Sequence, residues 1–331
     1  MAWQRTGIRL VVLVWVAPWV GCDEAEEETG REPAAPKVRE VGKKQPEGLK
    51  PPEPAPLDAE RIAGAAQTEA SKKNGVVRIE WVRDQVPVKV DGMPFPPPAG
   101  LGSWAAFQPA QDGAMVMGDT VVFQDEVDAA MDSAFAHGLE VTALHNHFFY
   151  DEPKVYFMHI GGQADAAELA RGVRAVWDAI RAVRDERPKP AESFAGEPPQ
   201  AGEIDPEAIA AATGVDVQEK PGGVLKVSVP ATTRMGGVEM GGAMGVATWA
   251  AFSGTTEHAA MDGDFVMTAE QVQPVLRTLR KGGVHVVALH NHMVGEDPPL
   301  YFTHFWAKGP AAELARAFKD TVVASAQAAA R

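Results

Sequence analysis

The feature that most constrains this chain is that much of it is written twice. Leu144-His145-Asn146-His147 recurs as Leu289-His290-Asn291-His292, and the next histidines, His159 and His304, keep the same spacing of 145 positions. Trp104-Ala105-Ala106-Phe107 returns as Trp249-Ala250-Ala251-Phe252, and Gly118-Asp119 returns as Gly263-Asp264. Tyr156-Phe157 matches Tyr301-Phe302, and Glu168-Leu169-Ala170-Arg171 matches Glu313-Leu314-Ala315-Arg316. Upstream, residues 75–78 align with 223–226 after a few residues of insertion, and 58–62 answer 205–209. Two copies are too few for a solenoid, which needs about three or more stacked units. The expected fold is α+β: two homologous repeats in a pseudo-two-fold pair, each an antiparallel sheet packed with helices.

Hydrophobic periodicity gives each copy the order short helix, strands, helix, two strands, helix. Val127, Ala130, Met131, Ala134 and Phe135 fall at helical spacing, and Gly138 stops that helix. In the second copy Thr268 and Gln271 form a capping-box pattern ahead of Val272, Val275, Leu276 and Leu279. Residues 139–147 and 155–160 are rich in strand formers and too short for typical helices. Alanine-rich helices are expected over 164–184 and 310–329. Repeat 1 spans 58–186 and repeat 2 spans 205–331. The proline-rich stretch 187–204 is the linker between them.

The N-terminus reads as an address. Arg5 and Arg9 precede an apolar run over 10–20, too short to cross a bilayer but suited to the core of a secretory signal. Gly21 and Cys22 follow, and Cys22 is the only cysteine of the 331 residues. Residues 1–22 resemble a bacterial lipoprotein signal with Cys22 as the lipidated residue, although Trp19 stands where leucine is usual. Several acyl chains on one residue anchor a protein stably. Asp23 resembles a signal that retains some lipoproteins in the inner membrane. Residues 23–57, acidic and proline-rich, cannot bury a core and form a tether. The partners expected are thus a membrane, through the lipid, and a metal ion or small molecule. The net charge of -14 speaks against nucleic acid, whose phosphates need a basic face. The expected location is the bacterial cell envelope, facing the periplasm or exterior.

Six of the nine histidines belong to the two equivalent clusters. Histidine is the commonest metal ligand and carries protons near neutral pH. His145 and His147 are two residues apart and would share one face of a strand. With a hairpin turn centred near Pro153, His147 and His159 become cross-strand partners. The same arithmetic around Pro298 pairs His292 with His304. Asn146 and Asn291 then point to the opposite face. Each cluster would present three imidazoles, His145, His147 and His159 or His290, His292 and His304. Three nitrogens with a free position suit an open zinc site or another transition metal. Asp151-Glu152 and Glu296-Asp297 sit at matching turn positions, where acidic residues are commonly just solvated. Glu152 and Glu296 are the candidates for a ligand, an imidazole-orienting partner or a general base.

Other residues carry weaker signals. Trp104 and Trp249 suit either a ligand pocket or, more commonly for aromatic residues in strands, the core. Asp119 and Asp264 follow glycine and are expected to shape turns. Met235, Met240 and Met244 lie in a glycine-rich stretch with no match in the first copy, and methionine with histidine would suit copper, though methionine mostly fills core gaps. The first copy has three prolines near residues 93–98 instead, so the two sites need not be equivalent. His137, His258 and His285 have no counterpart and read as surface or local residues. No phosphate-binding glycine loop and no serine or cysteine nucleophile motif stands out.

The repeated Trp-Ala-Ala-Phe, Ala-Leu-His-Asn-His and Tyr-Phe-x-His elements behind a lipoprotein signal resemble the LppY/LpqO family of bacterial lipoproteins, over roughly residues 58–325. The resemblance implies an exported, often lipid-anchored protein built from two copies of a domain of unknown function. His145-x-His147 followed by Glu152 also resembles the first metal motif of cupins, which would imply a β-barrel. Three function classes compete: an envelope protein binding a metal ion or small ligand, a metal-dependent enzyme of hydrolase or cupin-like type, and a structural or interaction lipoprotein. Binding is favoured narrowly, because no complete catalytic constellation can be assembled from both copies.

Overall fold

The structure, a computed structural model, describes residues 53–330. The expected signal, Cys22 and the tether up to residue 52 lie outside the described residues. Repeat 1 runs α1 (Ala59–Ala66), β1 (Ala70–Lys73), β2 (Val76–Val82), β3 (Lys89–Val90), β4 (Met93–Pro94), β5 (Gly102–Ala110), β6 (Gly113–Phe123), α2 (Val127–Ala136), β7 (Glu140–His145), β8 (Asp151–Glu152), β9 (Val155–Ala164) and α3 (Ala166–Glu186). Repeat 2 follows with α4 (Pro206–Thr213), β10 (Val217–Lys220), β11 (Val224–Pro230), β12 (Thr233–Met235), β13 (Val238–Met240), β14 (Ala247–Gly254), β15 (Ala259–Met267), α5 (Ala269–Lys281), β16 (His285–His290), β17 (Tyr301–Gly309) and α6 (Ala311–Ala329).

Local signals explain the helix ends. Asp58, Asp165 and Asp205 accept hydrogen bonds from the first free amides of α1, α3 and α4. The capping box at Thr268 forms, with Gln271 Oε1 accepting from the Thr268 amide at 2.7 Å. After α2, Gly138 takes the left-handed conformation at φ 74 and returns the chain to β7.

The two repeats share one antiparallel sheet of 12 strands, ordered β1-β2-β5-β6-β9-β7-β16-β17-β15-β14-β11-β10. The order reads the same from both ends once each strand is replaced by its counterpart. At the centre β7 meets β16 antiparallel, with Leu144 opposite Leu289. The sheet is open, with β1 and β10 as edges, and so does not form the barrel that the cupin resemblance implied.

One face of this sheet carries the helices. A single core cluster unites Ile79, Phe107, Val141, Leu144 and Ile160 of repeat 1 with Val227, Phe252, Val286, Leu289 and Phe305 of repeat 2 and with the apolar stripes of all six helices. The opposite face bears only two small apolar caps. Val86, Val88, Leu101, Val121, Phe123, Val155 and Phe157 form the first. Met240, Val246, Val266, Leu300 and Phe302 form the second. The caps include matching excursions: β3 and β4 before a 3-10 turn at Pro97–Ala99, and β12 and β13 before one at Gly242–Met244. The glycine-rich stretch of repeat 2 therefore has a counterpart in repeat 1, contrary to the expectation from sequence. Its methionines split, with Met240 buried in the cap and Met235 and Met244 exposed.

Polar contacts reinforce the seam from one side. Arg280 of α5 pairs with Asp128 and Asp132 of α2 at 2.8 and 2.9 Å. Arg277 donates to the carbonyls of Phe135 and Leu139, and the Gln273 amide bonds both backbone groups of Val141. His285 bonds Asp128 through Nδ1 and stacks on Phe194 of the linker at 3.7 Å, so it clasps the repeats and is not merely a surface residue.

Leu289 lies in the shared core at the seam, so Leu289→Ala is expected to cost about 2–5 kcal/mol. It should shift a single urea transition, seen alike by far-UV circular dichroism and tryptophan fluorescence. Two separated transitions would show that the seam does not couple the repeats.

Candidate functional site

The histidines reach the open face through a bulge in each central strand. Val141 and Leu144 both point into the helix-covered core although they are three residues apart, which strict alternation forbids. The β7–β9 register shifts between Val141 and Ala143, so one extra residue is absorbed there. The β16–β17 register shifts likewise between Val286 and Ala288. Past the bulge, His145 and His290 face away from the helices. Without it they would point inward.

The observed register differs from the hairpin arithmetic. His159 lies opposite Ala143, and Phe157 lies opposite His145. In repeat 2, His304 lies opposite Ala288 and Phe302 opposite His290. The strands end at His145 and His290, so His147 and His292 are not cross-strand partners of His159 and His304. The turn assumed near Pro153 is instead a longer loop, in which β8 leaves to pair with β3. Asn146 Nδ2 donates to the carbonyl of Phe148 at 2.8 Å, and Asn291 Nδ2 to that of Met293 at 2.6 Å. These bonds turn the loop so that His147 lies flat on Phe157, with centroids 3.3 Å apart, and His292 on Phe302, at 3.5 Å.

Despite the different register, each trio converges. His145 and His159 bring their Nε2 atoms to 3.0 Å. The His145 ring centroid is 5.1 Å from that of His147 and 5.1 Å from that of His159. In repeat 2 the His290 ring lies 5.1 Å from that of His292 and 4.7 Å from that of His304. The His145 Nδ1 approaches the carbonyl of Asn146 at 3.2 Å and the His304 Nδ1 that of Gly263 at 3.3 Å. With the proton on Nδ1 in each case, Nε2 is the accepting nitrogen, and that of His145 can accept from His159.

A carboxylate completes each cluster, and it is not one of those expected. Asp119 on β6 faces His159, and Asp264 on β15 faces His304. Asp119 Oδ1 stands 3.8 Å from His159 Nε2, and Asp264 Oδ2 stands 3.4 Å from His292 Nε2. Both aspartates sit in mid-strand and shape no turn. The preceding glycines serve close strand approach, since a Cβ on Gly118 would meet the Trp104 carbonyl at 2.8 Å and one on Gly263 the Trp249 carbonyl at 2.2 Å. Asp119 and Asp264 are buried, and the Oδ1 atom of each has no hydrogen-bond partner among the described residues. The sequence signal for them was present: an acidic residue on an apolar strand, repeated in both copies.

Glu152 and Glu296 lie elsewhere. Glu152 is exposed on β8 opposite Lys89. Glu296 accepts from the Leu300 amide at 3.0 Å, as its equivalent Asp151 accepts from the Val155 amide at 2.7 Å. Asp151 and Glu296 thus fold their loops, and the Glu152 side chain lies on the surface. Trp104 and Trp249 lie on the open face beside Asp119 and Asp264, not in the core, and carry Arg78 and Lys226 over their rings at 4.3 and 4.0 Å.

Burial pushes the Asp119 carboxyl above its usual range, against the opposing pull of His159, His147 and His145. Burial likewise raises Asp264 to about 6, with His304 and the Thr303 amide opposing. Burial lowers His147, His290 and His292, and neighbouring imidazoles lower them further. Those three rings are therefore held neutral near pH 7, the form that ligates metals. Among the described residues no group of three or more His, Cys, Asp or Glu side chains stands close enough together to hold a metal ion as they are placed, and His147 and His292 rest on phenylalanine rings instead.

The strand order β6-β9-β7-β16-β17-β15 places Asp119, His159, His145, His290, His304 and Asp264 on six successive strands across the seam, with His145 and His290 staggered by two residues from His159 and His304. This is a duplicated α+β protein with a paired histidine–aspartate face. The family model described as "Domain of Unknown Function (DUF1259)" matches residues 60–179 and again 207–324. The chain belongs to that family and holds two copies of its domain. No curated protein matches it. A trimeric bacterial microcompartment shell protein PduB aligns at 11% identity over 78% of this chain and 90% of that one, with a TM-score of 0.18. The double ringed trimeric shell protein MSM0271 from the RMM microcompartment aligns at 14% over 76% and 94%, also at 0.18. Likeness at that level carries no argument.

The raised Asp264 pKa has a stability consequence. Between its ordinary value of 3.8 and about 6, the folded chain holds a proton that the unfolded chain releases. Its contribution to stability is therefore greatest at low pH, is lost as pH rises through that window, and stays lost above it. Asp264→Asn never ionises, so it should melt above wild type at pH 8 in metal-free buffer, with the gap closing toward pH 4. A variant melting below wild type at pH 8 would mean that the carboxylate stabilises the fold.

Proposed function

We propose that this chain is a lipid-anchored protein of the bacterial cell envelope, of the LppY/LpqO lipoprotein kind, that binds a divalent transition-metal ion or a small ligand at its two open-face clusters. One site comprises His145, His147 and His159 with Asp119, and the other His290, His292 and His304 with Asp264. The observation that carries this reading is a buried carboxylate oxygen in each repeat, 3.8 Å from His159 or 3.9 Å from His304, with no hydrogen-bond partner among the described residues. A buried polar atom of that kind calls for a partner, and an ion, a polar ligand or an ordered water can each supply it. Two imidazole nitrogens sharing one zinc ion at about 2.0–2.1 Å each stand roughly 3–3.4 Å apart. The separation of His145 and His159 Nε2, 3.0 Å, is compatible with this. Membrane attachment is assigned to lipid on Cys22. Among the described residues no helix is long and apolar enough to cross a membrane.

A second reading, a metal-dependent hydrolase, is favoured by the Asp264 carboxyl at about 6. A carboxylate that exchanges its proton near neutral pH suits a general base. That role falls to Asp119 and Asp264, which touch the imidazoles, and not to Glu152 and Glu296.

Zinc titrated calorimetrically into the full chain should bind at up to two sites. The pair His145→Ala and His159→Ala should remove one, and the further pair His290→Ala and His304→Ala the other, each lowering affinity at that site by at least about tenfold. Unchanged zinc binding in the quadruple variant would end the metal reading and leave the structural role in which the histidines only fix their loops. Turnover of ester or phosphoester substrates that disappears in Asp264→Asn would select the enzyme.

A further inference from the structure

The two repeats differ most sharply at the outer ends of their helix layers. In repeat 1 that space is filled by the chain itself. Trp81 and Trp177 stand 5.9 Å apart, and Arg181 covers Trp81 at 4.2 Å. Arg83 and Arg184 close on Glu126 at 2.8 and 2.7 Å, and all three are buried. The sheet register identifies the counterparts. Trp81 pairs with Ser103, and Val229 pairs with the equivalent Thr248. Trp81 thus becomes Val229, and Arg83 becomes Ala231. At the common spacing Glu126 becomes Gln271, Trp177 becomes Val322, Arg181 becomes Ala326 and Arg184 becomes Ala329.

Repeat 2 does not collapse to make up this loss. A cavity of about 250 Å3 remains, walled by Val229, Ala231, Phe265, Met267, Leu300 and Val322. No charged side chain and none of the histidines lines it. Its polar rim includes Ser325, whose hydroxyl oxygen accepts from Gln271 Nε2 at 2.9 Å and whose own proton is left to donate. The hollow opens to solvent on one side, so water occupies it, and returning that water from its apolar walls to bulk favours an apolar guest.

We infer that this cavity is a binding site for a small uncharged molecule: an apolar ring system or short chain with one hydrogen-bond acceptor, which Ser325 receives. A charged ligand would meet no counter-charge there and would lose its hydration uncompensated. The site belongs to repeat 2 alone and does not depend on metal binding at the histidines.

A suitable probe is 4-fluoroacetophenone, an uncharged ring bearing a carbonyl acceptor, followed by 19F NMR with the full chain. Saturable binding is expected, at least tenfold weaker in Val322→Trp, which restores the bulk found in repeat 1. A milder filling variant, Ala326→Leu, should weaken binding in the same direction if the tryptophan is not accommodated, and near-UV circular dichroism identifies which variants keep their packing. Ser325→Ala, which leaves the cavity open, should weaken binding severalfold, and 4-fluorobenzoate should not bind. Absence of saturable binding to wild type at millimolar probe would overturn the inference. So would equal affinity in wild type and a folded filling variant, or equal binding of the benzoate.

Discussion

The antiparallel pairing of β7 with β16 is the contact on which the rest of the structure depends. These are two copies of one strand, joined with Leu144 opposite Leu289. Unpaired, each would leave a row of backbone donors and acceptors open at a sheet edge. Paired, they fuse the two sheets and place all six helices on one side of a shared core. Self-pairing of a duplicated strand carries a hazard, since a second molecule offers the same edge. The polar clasp beside the seam discriminates. Asp128 and Asp132 meet Arg280, while the equivalent positions in repeat 2 are Gln273 and Arg277 and the equivalent of Arg280 is Phe135. Repeat 1 therefore complements repeat 2 and not itself, which favours the intrachain seam over pairing between like repeats of two molecules.

The seam also sets what the open face can do. It brings the innermost histidine of each cluster onto adjacent strands, and the bulge beside it decides that His145 and His290 face outward. Aspartate, then histidine on the next strand, then histidine on the central strand repeats in mirror order across the join. The outermost of these groups, Asp119 and Asp264, are the most deeply buried, and burial raises both carboxyls. The imidazoles between them are partly exposed. Each cluster thus has a dry carboxylate end and a wetter imidazole end.

Much of this was legible in the sequence because it rests on local rules. The helix before Gly138 and the capping box at Thr268 are decided within a few residues. The duplication was plain from spacing, and with it the pairing of the two histidine trios. What failed depended on longer-range geometry. Hairpin arithmetic assumed a tight turn and unbroken alternation. The β8 excursion and the bulge near Thr142 break both, so the right residues met through the wrong register. Asp119 and Asp264 were misread because glycine before aspartate is usual in turns, whereas here the glycine is needed where neighbouring strands crowd together. The joining of two sheets into one was invisible, because nothing in a strand's own sequence says whether its outer edge is covered by its twin.

Divergence between the copies separates what the site needs from what the fold merely tolerates. Packing has been rebuilt at the helix-layer ends, where two tryptophans and three arginines face valine and alanine. The clasp residues have changed on both sides of the seam. The open-face set of Trp104, Asp119, His145, Asn146, His147, Phe157 and His159 is instead identical to its counterpart, residue for residue. That set includes two buried carboxylates, each with an oxygen lacking a hydrogen-bond partner among the described residues. Such a group costs stability wherever it is ionised. A copy free to drift is stabilised by losing it, and stabilising changes of this sort are easy to find. Core residues such as Phe107 and Leu144 are also kept in both copies, but packing accounts for them and does not account for a buried carboxylate.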